Sequence, residues 1–207
     1  MMQLIGMLDS PYVRRVAVSL HALGLPFTQR CISVFSTYEQ FKAINPVVRA
    51  PTLICEDGTV LMDSSLILDY AETLAQPHSL LPRAASERAA ALRGVGLALA
   101  ACDKSVQIVY ERKLRPADKQ HEPWVARVTE QLHTTYALLE TELAGHPAPF
   151  AVNAATIATA VAWRFTHEQL PGTLDTAAYP RLQAQSAWAE AQSAFRAAPY
   201  DEHTRHV

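Results

Sequence analysis

QLIGMLDSPYVRRVAVSLHALGLPFTQRCI, residues 3–32, decides the fold. QLIGM (3–7) is a short apolar run that suits a buried strand. Ser10-Pro11 then pairs a preferred helix N-cap with a preferred first helical residue. Val13, Val16, Ala17 and Leu20 follow at i, i+3, i+4 and i+7, one face of a helix. Gly24 closes that helix, and Pro26 prevents its continuation. FTQRCI (27–32) reads as a second strand. Strand, helix and strand with short joins form a βαβ unit, so the two strands are expected to run parallel.

Working outward, Tyr38 to Ile44 reads as one irregular helix, broken by Asn45-Pro46. PTLICEDGTVLM (51–62) gives two strands around Asp57-Gly58, a strong hairpin signal. Asp63-Ser64-Ser65 starts a further helix whose apolar face is Ile67, Tyr70, Ala71 and Leu74. The order βαβ, helix, ββα is satisfied economically by a small mixed four-stranded sheet with helices on both faces. Gln76-Pro77-His78 and Leu81-Pro82-Arg83 mark a linker. The expected organisation is α/β plus all-α: residues 1–76, a linker at 77–84, and a helical domain over 85–207.

Past Arg83 the pattern is helical. Leu92, Val95, Leu99, Cys102, Val106 and Val109 step by three and four along one long helix that ends before Pro116. A second runs from about His121 to Leu143, with Val125, Val128, Leu132, Leu139 and Leu143 inward and Gly145 and Pro147 at its end. Asn153 and Thr156 both qualify as N-caps for the apolar helix IATAVAWRF (157–165). With Asn153 as cap, Val152 and Ile157 take the positions of a hydrophobic staple. Tyr179-Pro180 starts another helix carrying Trp188, and Pro199 is expected to close the ordered part, with the tail DEHTRHV fraying.

Composition narrows the function. The chain has 207 residues, enough to bury roughly 70% of its unfolded surface. A net charge of −2 argues against a dedicated nucleic-acid binder, which needs a clustered basic face. Three cysteines, Cys31, Cys55 and Cys102, with no C-x-x-C, argue against a disulfide scaffold or structural zinc and for a reducing, cytoplasmic setting. Cys31 and Cys55 fall in expected strands and read as buried, inert thiols. MMQLIGMLDSPYVRR has no basic leader before an apolar run, so no secretory signal is expected. The apolar stretches are too short to span a bilayer, so no membrane partner is expected. Eight histidines are scattered without metal-ligand spacing, so no metal is expected. Gly94-Val95-Gly96 lacks a third glycine and lies inside a helix, so it is not a dinucleotide loop. No G-x-S-x-G occurs, which removes the α/β-hydrolase elbow.

Five elements together resemble the cytosolic glutathione S-transferases of bacterial type, with serine at the thiol-activating position. They are Ser10-Pro11-Tyr12-Val13-Arg14-Arg15, Asn45-Pro46-Val47-Val48-Arg49-Ala50-Pro51-Thr52-Leu53, Asp63-Ser64-Ser65-Leu66-Ile67, Leu80-Leu81-Pro82 and Thr156-Ile157-Ala158-Thr159. Their order and spacing cover nearly the full chain. The resemblance implies a thioredoxin-like first domain followed by an all-helical bundle. It further implies a homodimer and glutathione as co-substrate against a small hydrophobic electrophile, a detoxification chemistry. Two departures stand out. Val48-Arg49 replaces the Gly-Lys that the family often carries, and Thr159 replaces an acid in the core-helix start.

Conjugation needs a thiolate, and a free thiol with a pKa of roughly 8.5 is only a few per cent ionised near neutrality. A helix N-terminus and a donated hydrogen bond both favour the anion. Ser10 stands where both act, and the resemblance makes its hydroxyl the donor; read from the residues alone, it is an N-cap. Tyr12 is the alternative donor, or lines the substrate pocket. No cysteine occupies 9–12, which excludes thiol transfer through that position.

Ala50-Pro51 matches the family's cis-proline, which leaves the Ala50 backbone open to a peptide ligand as an added strand would be. Ser64 suits the γ-glutamyl carboxylate at a helix N-terminus and Asp63 the ammonium, while one of Asp63, Ser64 and Ser65 caps the helix. Arg49 suits the glycyl carboxylate. Tyr12, Gln107, Tyr110 and Glu111 are the candidates for the electrophile pocket, expected between the first helix and the long helix after residue 84. Asp103 and Lys104 read as solvated. The rival readings are a transferase-like interaction protein that kept the fold, as in bacterial starvation proteins that bind RNA polymerase, and a glutathione-dependent reductase or isomerase.

Overall fold

The structure, a computed structural model, describes residues 1–145 and 150–200. Pro147 and the tail 201–207 lie outside the described residues. Contacts divide the chain into two units: Met1–Leu80 with the segment from Gln192 onward, and Leu81–Ala191.

In the first unit, β1 (Met2–Ile5) is the parallel partner of β2 (Phe27–Arg30), with Ile5 opposite Arg30. On its other edge β1 pairs antiparallel with β3 (Thr52–Ile54), which pairs antiparallel with β4 (Val60–Leu61). The sheet order is β2-β1-β3-β4, the mixed arrangement expected. α1 (Pro11–Ala22) and α3 (Ser64–Leu74) pack together, while Phe41 of α2 (Tyr38–Ile44) joins Ile5 and Ile32 in a separate cluster. Successive strand residues face opposite sides, so neighbouring Leu4 and Ile5, both fully buried, serve different layers.

Both strands of the βαβ unit are shorter than expected. β1 ends at Ile5 because Gly6 turns away at φ +139°. A Cβ on Gly6 would lie 2.6 Å from Val13 Cγ2, so α1 approaches the strand end as closely as glycine allows. β2 ends at Arg30, and Cys31 beyond it is exposed rather than buried; Cys55, just past β3, is buried as expected. Leu74, in the last turn of α3, is 46% exposed and does not belong to the apolar face.

The unanticipated element is α8 (Ser193–Ala197), a short helix that packs on α1. Buried Arg14 donates from Nε to the Ala198 carbonyl at 3.0 Å, and its guanidinium lies 5.6 Å from the Phe195 ring centre. The chain therefore returns to its first unit after Ala191.

The second unit contains α4 (Ala85–Lys113), α5 (Glu122–Ala144), α6 (Ala154–Gln169) and α7 (Pro180–Glu190). Asn153 is the cap that forms, its Oδ1 accepting from the Thr156 N–H at 2.9 Å. α6 is buried on nearly every side, as its sequence requires. Gly94, where an added Cβ would lie 3.2 Å from Ala155, and Ser105, bonded to Thr166, are small residues of α4 that meet it. Leu92 lies on the opposite side of that helix and is 47% exposed, off the expected face. A buried polar chain crosses the bundle: the Tyr136 hydroxyl meets the Thr166 hydroxyl at 2.7 Å, which meets Ser105 Oγ at 2.7 Å. Burial pushes the Tyr136 phenol well above its usual range, so it stays neutral and can donate.

Candidate functional site

Element ends in the first unit gather the residues expected to bind the tripeptide. Ser10 has extended backbone and caps α1, its Oγ accepting from the Val13 N–H at 3.4 Å. That is a long bond, and it uses a lone pair. The hydroxyl hydrogen has no acceptor among the described residues, so Ser10 can cap the helix and still donate to an anion.

Ala50-Pro51 is cis. Ala50 enters no backbone hydrogen bond among the described residues, leaving its N–H and C=O open beside β3. Its Cβ is 3.4 Å from where a Gly6 Cβ would stand, so this backbone lies beside the turn that leads to Ser10. A buried network shapes the preceding loop. Asn45 Nδ2 donates to Thr52 Oγ1 at 2.8 Å, Thr52 Oγ1 donates to the Arg49 carbonyl at 2.7 Å, and Asn45 Oδ1 accepts from the Val47 N–H at 3.0 Å. Within it Val48 holds φ +53°, a left-handed conformation that a β-branched residue rarely adopts. Val48 thus holds, with strain, a backbone conformation that suits glycine.

Asp63 is the cap of α3: its Oδ1 accepts from the Ser65 and Leu66 N–H groups at 2.9 and 3.4 Å. Its Oδ2 faces Arg49 Nη2 at 3.9 Å. Both side chains are largely exposed, so this pair is worth little and Arg49 can leave it at small cost. The N–H of Ser64, the first residue of α3, has no acceptor among the described residues and stands at the positive end of the helix. Beneath it lies Arg15, 7% exposed, which donates from Nη1 to Ser64 Oγ at 3.1 Å and to Ser65 Oγ at 3.3 Å. Sequence reasoning passed over Arg15 as a site residue. Val13, Val16, Ala17 and Leu20 mark the apolar face of α1 and Arg15 falls off it, so the sequence pattern carries no signal for its burial.

The other candidates lie on α1 and α4. Tyr12 is half-buried in α1, and Tyr110 is 45% exposed. The Gln107 amide donates to Asp103 Oδ2 at 2.8 Å, one turn earlier. Glu111 is buried; it accepts from the His121 N–H at 2.8 Å and from Arg115 Nε at 2.9 Å. The backbone donor at His121, then Arg115, hold its carboxyl below the usual carboxylate range, and it ties the end of α4 to the start of α5. Lys104, expected in solvent, is only 22% exposed and pairs with Asp103 at 3.1 Å. It lines a cleft of about 620 Å³ with Arg127, Glu130, Gln131, Thr134 and Thr135, which includes none of the residues named for the electrophile. Among the described residues no His, Cys, Asp and Glu group forms a metal site, and no helix is long and apolar enough to cross a membrane.

Residues 4–79 match the family described as glutathione S-transferase, N-terminal domain. The chain is 30% identical over 162 residues to an uncharacterized glutathione S-transferase-like protein of Escherichia coli (strain K12), YibF, covering 78% of this chain and 80% of that one. The chain belongs to the glutathione S-transferase family. A solved glutathione S-transferase from Methylobacterium radiotolerans, in complex with glutathione sulfonate, matches with a TM-score of 0.88 and 27% identity, over 97% of this chain and 96% of its own. A glutathione transferase family member from Pseudomonas fluorescens Pf-5, with bound glutathione, matches at 0.84 and 27%, over 97% and 100%. The family carries the thioredoxin-like sheet and helical region described above.

Proposed function

We propose that this protein is a glutathione transferase in which bound glutathione, held as thiolate by Ser10, attacks a small hydrophobic electrophile. The observation that carries the reading is the set of uncommitted donors on one unit: the Ser10 hydroxyl, the Ala50 backbone and the Ser64 N–H. The Ala50 backbone would hold the cysteinyl peptide as an added strand. The start of α3, with Ser64, would hold the γ-glutamyl carboxylate and Asp63 the ammonium. Arg49 would meet the glycyl carboxylate. Ser10 would donate to the sulfur, whose thiolate forms the new bond as the leaving group departs with its electron pair. Tyr12, Gln107, Tyr110 and Glu111 are the proposed lining of the electrophile pocket. A cytoplasmic homodimer belongs to the same reading and is supported by family membership.

Calorimetric titration with reduced glutathione near neutral pH tests it. A dissociation constant of about 1 mM or tighter is expected, worth roughly −4 kcal/mol. No heat, together with no competition from an S-alkyl glutathione, would refute the peptide site and favour the interaction-protein reading.

A further inference from the structure

We infer that Gln29 is a positioning residue for Ser10, acting through the carbonyl of Gly6; this rests on the glutathione reading above. Gln29 lies on the edge strand β2, opposite Leu4 of β1. Its Nε2 donates to the Gly6 carbonyl at 2.7 Å, and the Gly6 N–H donates to the Arg30 carbonyl at 3.1 Å. β2 therefore grips both polar groups of the residue at which the chain leaves the sheet.

Gly6 needs that grip. Without a Cβ, its own sterics leave the orientation of the next peptide unit loosely set. The Gly6 carbonyl and the Met7 N–H belong to one planar unit, so holding the carbonyl fixes the direction in which the turn starts. The Met7 carbonyl accepts from the Ser10 N–H at 3.1 Å, and the Ser10 carbonyl accepts from the Arg14 N–H at 2.9 Å, inside α1. A continuous run of hydrogen bonds and peptide planes thus joins an edge-strand side chain to the backbone of Ser10. The amide itself can face only one way. Gln29 Oε1 is buried and has no partner among the described residues. Turned over, the amide would set that oxygen against the Gly6 carbonyl, two acceptors with no proton between them. Ser10 must aim its hydroxyl at the sulfur, and a hydrogen bond weakens steeply once it bends. The groups proposed for the peptide, the Ala50 backbone and the Ser64 N–H, stand on other segments and receive no bond from Gln29.

The test reads the bound-thiol pKa, by thiolate ultraviolet absorbance, in wild type, Gln29→Met, Ser10→Ala and the double variant. Gln29→Met is expected to raise it by about 0.5 unit, roughly threefold in the ionisation constant. The double variant is expected to match Ser10→Ala, because with the hydroxyl gone Gln29 has nothing left to position. Calorimetry with a glutathione analogue carrying methyl in place of the thiol is expected to give an affinity within about twofold of wild type in Gln29→Met. A general loosening of the unit would instead weaken both ligands alike. Gln29→Leu carries the test, with the same expected pattern, should the methionine variant fail to fold. An unchanged thiol pKa, shifts that add in the double variant, or a loss of affinity for the methyl analogue equal to that for glutathione would overturn the proposal. Wild type that binds no glutathione, or Ser10→Ala with an unchanged pKa, would fail the parent reading and this one with it. A shift in Ser10→Ala with none in the Gln29 variants would fail this one alone.

Discussion

Replacing Ser10 by Ala, Gly and Thr separates two jobs that one hydroxyl performs. The first is capping. Its bond to the Val13 N–H is 3.4 Å long, so losing it to alanine should cost the low end of the capping range, about 0.5 kcal/mol, and glycine should cost only a few tenths. The second is donation to the thiolate. A hydrogen bond to a charged group contributes about 1.5–3 kcal/mol, which at roughly 1.36 kcal/mol per unit is about 1–2 pKa units. Starting from about 8.5, the bound thiol in wild type should therefore titrate near roughly 6.5–7.5.

The sign of the pH dependence follows. Ser10 lowers the bound thiol's pKa, so its benefit is a larger thiolate fraction between the lowered value and the free one. In Ser10→Ala the rising limb of the pH–rate curve should move about 1–2 units to higher pH. The deficit should be about 10–100-fold below the wild-type pKa and should vanish above about pH 9. Ser10→Gly should show the same shift with almost no loss of stability, and Ser10→Thr should show neither. Thiolate ultraviolet absorbance of the bound ligand, with thermal melts alongside, reads both jobs. An unchanged bound-thiol pKa in Ser10→Ala would refute the donor role, and a shift found in Tyr12→Phe instead would move it to Tyr12.

Two backbone predictions accompany it. At Val48, φ +53° reverses the usual order of small residues: Val48→Gly should be more stable than Val48→Ala by about 1 kcal/mol, where ordinary sites favour alanine by about 0.5–1. Urea midpoints decide, and alanine equal to or above glycine would remove the strain argument. Gly6→Ala combines a positive φ with a 2.6 Å approach to Val13 Cγ2 and should cost roughly 2–4 kcal/mol, read as a lowered melting temperature.

The first unit was legible because its punctuation is local. Ser10-Pro11, Asn45-Pro46, Asp57-Gly58 and Asp63 each impose a cap, break or turn through their own chemistry: α1 starts after Ser10, α2 stops before Asn45, α3 starts after Asp63, and Asp57-Gly58 lies in the turn between β3 and β4. What escaped was set by distant partners. Nothing near Ser193 announces that α8 will lie on α1, because its anchor is Arg14, 184 residues away from Ala198. The large apolar residues of α4 step by three and four, yet Leu92 among them stands outward, while small Gly94 and Ser105 meet α6. Cys31 is exposed because β2 ends at Arg30, two residues short of the expected strand end. At the site, residues at caps and breaks could be named from pattern, but Arg15 could not: its meaning lies in two serine hydroxyls 49 and 50 residues further on.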